Sequence, residues 1–202
     1  MVVASRVKPM PWWTLGLLGV LLVAQWIPAV ADALIYDRIA VTRGEAWRIV
    51  TGHLVHYSTS HLLANLAVLI PAAWLVETRH RGDVGVLLAT AAVAIGGMLF
   101  VAEPGILQFG GASGIALAFL VYVGLCGLHG SPRWRVVCSV LLVGVMAKFF
   151  AELAGWQWRD WHQDGFVPVV SSHVVGAAAG GALYLWRIIG RGSFWRPAAS
   201  FR

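Results

Sequence analysis

Long stretches of this chain carry almost no charge, and polar residues return only at intervals. Apolar runs extend from about Trp12 to Ala33, Ser60 to Val76, Val84 to Val101, Ala112 to Leu128, Val136 to Ala154 and Val167 to Ile189. A helix needs roughly 20 apolar residues to cross the hydrocarbon core, with about 17 to 25 tolerated. In lipid the backbone must satisfy its own hydrogen bonds, so runs of this length predict helices. The pattern predicts an all-α membrane protein with six transmembrane helices. The fourth run is short and begins in a Gly-rich turn, as expected of a helix that starts below the membrane surface. No Ser/Pro-rich linker, low-complexity tract or internal repeat divides the chain, which reads as a single domain over residues 1–202.

Composition strengthens this reading. Hydrophobic residues make up 59% and charged residues 12%, where soluble domains carry about 25% charged residues. The net charge of +6 raises the question of nucleic acid. The basic residues lie in loops and ends rather than on one soluble face, so a nucleic-acid partner is not expected. Their placement instead orients the bundle. Arg6 and Lys8, Arg79 and Arg81, Arg133 and Arg135, and Arg187, Arg191, Arg196 and Arg202 put ten of the 15 basic residues on one side. The positive-inside rule makes that side, with both termini, cytoplasmic. Seven of the nine acids (Asp32, Asp37, Glu45, Glu103, Glu152, Asp160 and Asp164) lie on or near the other side. The even-numbered helices then run inward, with their first turns near the outer face.

Three other features bear on the topology. Basic residues, an apolar run and Ala31-Asp32-Ala33 (or Ala29-Val30-Ala31) resemble a secretory signal, but the run exceeds a signal core of about 7 to 15 residues. An uncleaved first span is therefore expected. The first loop, Leu34 to Thr59, mixes apolar residues with Asp37, Arg38, Arg43, Glu45, Trp47 and Arg48. Such a segment suits the outer leaflet, with Trp47 among the headgroups, although a plain structured loop fits as well. Cys126 and Cys138 fall toward the cytoplasmic helix ends, where a disulfide is not expected and packing roles are.

Polar residues inside apolar helices are costly unless paired or used. His61, Asn65, Ser113 and His173 all fall in the first two turns of inward-running helices, at one depth. In Gly110-Gly111-Ala112-Ser113-Gly114 the glycines permit a sharp turn into a helix, whose free N–H groups favour negative charge. By itself this motif also fits close helix packing. His173 is either a structural hydrogen-bond partner between helices or the base that a serine needs to attack at neutral pH. Gly176 and Gly180 follow it as a small-residue face that lets two helices approach. His61 and Asn65, spaced i and i+4, share a helix face and can both donate. Either they form helix-to-helix hydrogen bonds or they hold an oxyanion. His53, His56 and His61 raise the question of a metal, but no HExxH or completing carboxylate is present, and neither metal nor cofactor is expected.

Taken in order, Trp47-Arg48, His56-x4-His61-x3-Asn65, Gly111-Ala112-Ser113-Gly114 and His173-x2-Gly176-x3-Gly180 resemble the rhomboid family of intramembrane serine proteases over nearly the whole chain. The resemblance implies a six-helix rhomboid-like bundle and a Ser113–His173 dyad. It implies an oxyanion hole of His61, Asn65 and the Ser113 N–H, supported by Gly111 and Gly114, with Trp47 and Arg48 fixing the first loop. The chain looks most like the rhombosortases, a compact bacterial branch, on Trp47 to His56 and on Lys148-Phe149-Phe150-Ala151-Glu152. Lys148 and Glu152 share a helix face at i, i+4 and either brace the fold or bind a substrate end.

That branch implies a multi-pass protein of the bacterial inner membrane with its site facing the periplasm. It implies substrates that are exported membrane proteins with a carboxyl-terminal Gly-Gly sorting tail and hydrophobic helix, and cleavage coupled to transfer onto a phospholipid-derived group. A general rhomboid protease of single-span substrates is the alternative. Two positions depart from the common family pattern: Leu117 stands where many members have Tyr, and Ser172 where many have Ala. No Asp or Glu lies near His173 in sequence, so something else must orient it. An inactive rhomboid-like protein that binds membrane helices would normally lack the Ser or the His. A transporter would call for charges along a path through the bilayer, which this chain does not carry.

Overall fold

The computed structural model describes residues 10–156 and 169–190. The first apolar run does not form one helix. It gives α1 (Trp12–Trp26) and a short α2 (Pro28–Leu34), bent by 108°. Pro28 has no N–H to donate and forces Ile27 into an extended conformation, φ −114° and ψ 97°. The expected first span to Ala33 is therefore corrected to a helix that ends at Trp26. The first loop continues as α3 (Arg38–Thr42), a single turn α4 (Arg48–Thr51) and a tighter turn at Gly52–Leu54. Four longer helices follow, α5 (Thr59–Arg79), α6 (Arg81–Ala102), α7 (Ser113–Gly127) and α8 (Pro132–Leu153), and then α9 (Val170–Gly190).

Among the described residues, α5, α6 and α8 are long and apolar enough to cross a membrane, and the bent α1–α2 pair would be a fourth. The 15-residue α7 is too short by that measure. In α9 the serines, His173 and glycines dilute the apolar content. These two helices carry Ser113 and His173, and the short α7 agrees with the short fourth run.

α7 packs most extensively on α9, with α5 and α6 flanking. Lipid offers no hydrophobic gain to helix association, so contact here depends on close packing. A Cβ on Gly176 would run into the Gly114 carbonyl, and one on Gly180 into the Ala118 carbonyl. At these glycines the two backbones touch. Leu62, Leu69, Leu87, Ile95, Leu99, Phe119 and Tyr122 fill the space between α5, α6 and α7.

Polar clasps hold the end of the bundle away from Ser113. Asp83 of α6 accepts from Tyr122 of α7 and pairs with Arg187 of α9. Glu77 of α5 accepts from the backbone N–H of Trp13 (3.0 Å) and Thr14 (2.8 Å) and from the Thr14 hydroxyl (2.8 Å). It thereby satisfies two of the donors that α1 leaves open at its start. The Arg79 guanidinium lies 4.9 Å from the Trp134 ring centre. Cys126 and Cys138 are free and buried.

At the other end the first loop reaches the turn that enters α7. A two-residue antiparallel pair joins β1 (Tyr36–Asp37) to β2 (Gln108–Phe109). Arg48 Nη1 donates to the carbonyls of Asp32 (2.7 Å) and Ile35 (2.9 Å), its Nε pairs with Glu45 (2.6 Å), and Trp47 Nε1 donates to the Ala33 carbonyl (3.2 Å). Arg48 thus satisfies carbonyls left open where α2 ends.

Candidate active site

The first turns of α5, α7 and α9 converge on one cavity of about 660 Å³, which α8 closes on its far side. His61, Asn65, Ser113, Lys148, Glu152 and His173 all line it. The remaining wall is apolar or small, including Leu117, Leu120, Gly144, Ala147 and Ala151. The cavity thus pairs a cluster of polar groups with an apolar slot that has small residues along α8 and Trp156 at its edge.

Ser113 is the first residue of α7. The chain reaches it through Gly111, whose φ of +136° is a conformation that side-chain-bearing residues rarely adopt. A Cβ there would also crowd the His61 ring, at 2.9 Å from its Cε1. Ala112 donates its N–H to Nε2 of His56 (3.4 Å), which fixes the turn from behind. Burial, with His61 beside it, pushes His56 down to about 3, so at neutral pH the ring is uncharged and can accept this hydrogen bond. His53, also in the first loop, is lowered by burial, and its Nε2 donates to the Ala92 carbonyl (3.1 Å).

Ser113 Oγ lies 2.9 Å from His173 Nε2. This is hydrogen-bond distance between a hydroxyl and a ring nitrogen, in the arrangement that activates a serine. Gly176, one turn after His173, sets the crossing that brings the two together. Ser172 does not enter the cavity chemistry. Its hydroxyl donates to the Val169 carbonyl (2.7 Å), while its own carbonyl faces Gly114.

Across the cavity, the Ser58 side chain caps α5 by accepting the His61 N–H (3.1 Å). The His61 ring packs on His56 with centroids 4.9 Å apart, and stacks with Tyr57 at 6.4 Å and 6° between planes. Asn65 Nδ2 donates one hydrogen to the His61 carbonyl (2.9 Å), and an amide nitrogen carries a second. Both side chains are 5% exposed. Desolvated donors that line the same cavity as Ser113 have the chemistry to hold a developing negative oxygen.

Glu152 and Lys148 extend the cluster. Lys148 Nζ is 2.5 Å from Glu152 Oε1, and both groups reach Nδ1 of His173, at 3.0 Å for Lys148 Nζ and 3.1 Å for Glu152 Oε2. In the sequence this pair reads as a brace or a substrate contact, and no acid lies near His173. The signal was present, since a carboxylate inside an apolar helix at the depth of a histidine calls for a partner. Only the fold turns that face of α8 toward His173 of α9. Trp47 and Arg48 stay outside the cavity in the first loop. Among the described residues, no group of three His, Cys, Asp or Glu side chains is gathered for a metal.

A family model described as Rhomboid domain matches residues 43–191. That stretch runs from the first loop to the end of α9. No curated protein matches the chain.

Proposed function

The chain belongs to the rhomboid family, multi-pass membrane proteins of an intramembrane protease type, and from that premise we propose that it is an active serine endopeptidase working on Ser113 and His173. The observation that carries this reading is the 2.9 Å approach of Ser113 Oγ to His173 Nε2 inside a cavity bounded by membrane helices. We read the whole chain, 1–202, as one such domain in the bacterial inner membrane, with both termini cytoplasmic and the cavity toward the periplasm. The basic loops at the opposite end of the bundle support that orientation.

The reaction is acyl transfer. As Ser113 Oγ attacks the scissile carbonyl, its proton passes to His173 Nε2. The new C–O bond leaves a negative oxygen, which His61, Asn65 and the Ser113 N–H at the start of α7 are placed to stabilise. His173 then gives its proton to the departing amine as the C–N bond breaks. Water, or an amine, then attacks the acyl carbon and gives its proton to His173; the bond to Ser113 Oγ breaks, and the proton returns from His173 to Oγ. The apolar slot suits a substrate helix that unwinds at small residues. The resemblance to rhombosortases favours a carboxyl-terminal Gly-Gly sorting tail as that substrate, with transfer to a lipid-derived amine as the resolving step. Cleavage of single-span proteins in general is the alternative.

Co-expression with two reporters tests this reading. One carries a Gly-Gly sorting tail and the other a generic single transmembrane span. Processing that disappears in Ser113→Ala and in His173→Ala is expected, and processing that persists in both variants removes the assignment. Equal cutting of the two reporters favours the general protease over the sorting enzyme.

A further inference from the structure

We propose that Glu152 is the positioning residue of this site: its carboxylate accepts the Nδ1–H of His173, making a Ser113–His173–Glu152 chain whose outer end is held by Lys148. The inference rests on the serine-protease reading above.

The argument is one of hydrogen placement. Neutral imidazole carries one hydrogen. For Nε2 to receive the Ser113 proton it must be bare, so the hydrogen sits on Nδ1. Nδ1 faces two groups, the Glu152 carboxylate (3.0 Å to Oε1, 3.1 Å to Oε2) and Lys148 Nζ (3.0 Å). An ammonium group only donates, so the carboxylate is the acceptor open to Nδ1–H. Lys148 spends a hydrogen on Glu152 Oε1 at 2.5 Å.

Without Glu152 the preference would invert. Lys148 would donate to a bare Nδ1, Nε2 would carry the hydrogen, and Ser113 would have no base. Glu152 thus selects the productive tautomer. It also lies against the imidazolium that forms when His173 takes the proton, in a site where charge is poorly screened. Lys148 makes the resting pair neutral, which is how a carboxylate is carried among apolar helices. Among the described residues, the titratable and charged groups around His173 are these two from α8 and His61 of α5 across the cavity.

The two simpler roles for the pair predict different outcomes. A brace within α8 makes Lys148 and Glu152 equally important, since either loss breaks it. A substrate contact acts on binding and leaves the intrinsic reactivity of Ser113 alone.

The test labels the full-length purified protein with a fluorophosphonate probe, with Ser113→Ala as the blank, and separates the maximal labelling rate from the probe's apparent affinity. We expect Glu152→Gln to lower the maximal rate on the order of 100- to 10,000-fold at unchanged affinity. Glu152→Asp recovers part of that rate, and Lys148→Met loses far less. A Glu152→Gln protein that labels at the wild-type rate overturns the proposal, as does a loss carried by affinity or an equal loss in Lys148→Met. If size exclusion and melting show that Glu152→Gln does not fold, Glu152→Asp decides against Lys148→Met on the same terms: the shorter acid must cost more rate than loss of the lysine. A wild-type protein that takes no probe sinks the serine-protease reading itself, and this inference with it, and that result is distinct from all the others.

Discussion

The α7–α9 seam and the helix α8 contribute to the same cavity but are built in opposite ways. At the seam, backbones meet through Gly176 and Gly180, and Ser172, His173, Gly176 and Gly180 are buried. In α8 the buried residues are Cys138 and Val145, while Val136, Val140, Val143, Phe150 and Leu153 are exposed. The apolar window of α8 is 11% buried, against 39% for α5 and α6. The Ser113 hydroxyl and the His173 imidazole, 2.9 Å apart, thus sit on the most extensive helix contact among the described residues. The ion pair that touches His173 sits on a helix with most of its surface turned to the surroundings. Fixed geometry is placed where a glycine crossing enforces it, and the wall of the slot is left to a helix that packing holds lightly.

Substitutions at the two regions should therefore differ sharply in effect. The strongest break comes from Gly176→Val, whose side chain would push α9 off the Gly114 carbonyl and separate Ser113 from His173. Misplacement by about 1 Å costs on the order of 100-fold in rate, and a valine demands more, so a loss of roughly 1,000-fold with a lowered melting temperature is expected. Val143→Leu, on the exposed face of α8, should leave both probe labelling and melting near wild type. Similar behaviour of the two variants would erase the contrast.

Asn65→Ala probes the facing wall. Removal of one preorganised donor should lower the cleavage rate by roughly 100-fold, with the Ser113–His173 contact intact. Comparison of reporter cleavage with probe labelling sharpens the assignment. A wild-type cleavage rate in this variant would take Asn65 out of the oxyanion group.

The smallest effect expected is one of pH on the turn that enters α7. His56 is held uncharged by burial, at about 3 against its ordinary 6.5. A histidine lowered in the fold takes up its proton more readily when unfolded. The stability it contributes is complete above about pH 6.5 and declines as the pH falls toward 3. The melting temperature in detergent should therefore drop progressively below pH 6.5, and part of that slope should vanish in His56→Gln. His53, lowered in the same direction, accounts for a further part. A slope unchanged in His56→Gln would show that His56 does not anchor this turn in its neutral form.

Much of the site was legible from the chain because its parts obey local rules. Ser113 follows a glycine turn, His61 and Asn65 share a helix face, and His173 precedes a pair of glycines spaced for close packing. Those rules also located the helices that carry them. They failed at the first span, where the apolar content continues through Ile27-Pro28 but the backbone cannot.

The sequence by itself determined the class of protein, most of its helices and the turn of the helix on which each polar site residue lies, because that turn follows from counting residues along an apolar run. It could not determine rotation. Whether the Lys148–Glu152 face of α8 points to lipid, to a partner helix or to His173 depends on how the helices turn about their own axes, and apolar surroundings on every side leave no periodic signal to read. Only the tertiary structure, through the backbone contact at Gly176 and the placement of α8 beside it, decided that the acid so distant in sequence stands next to the histidine.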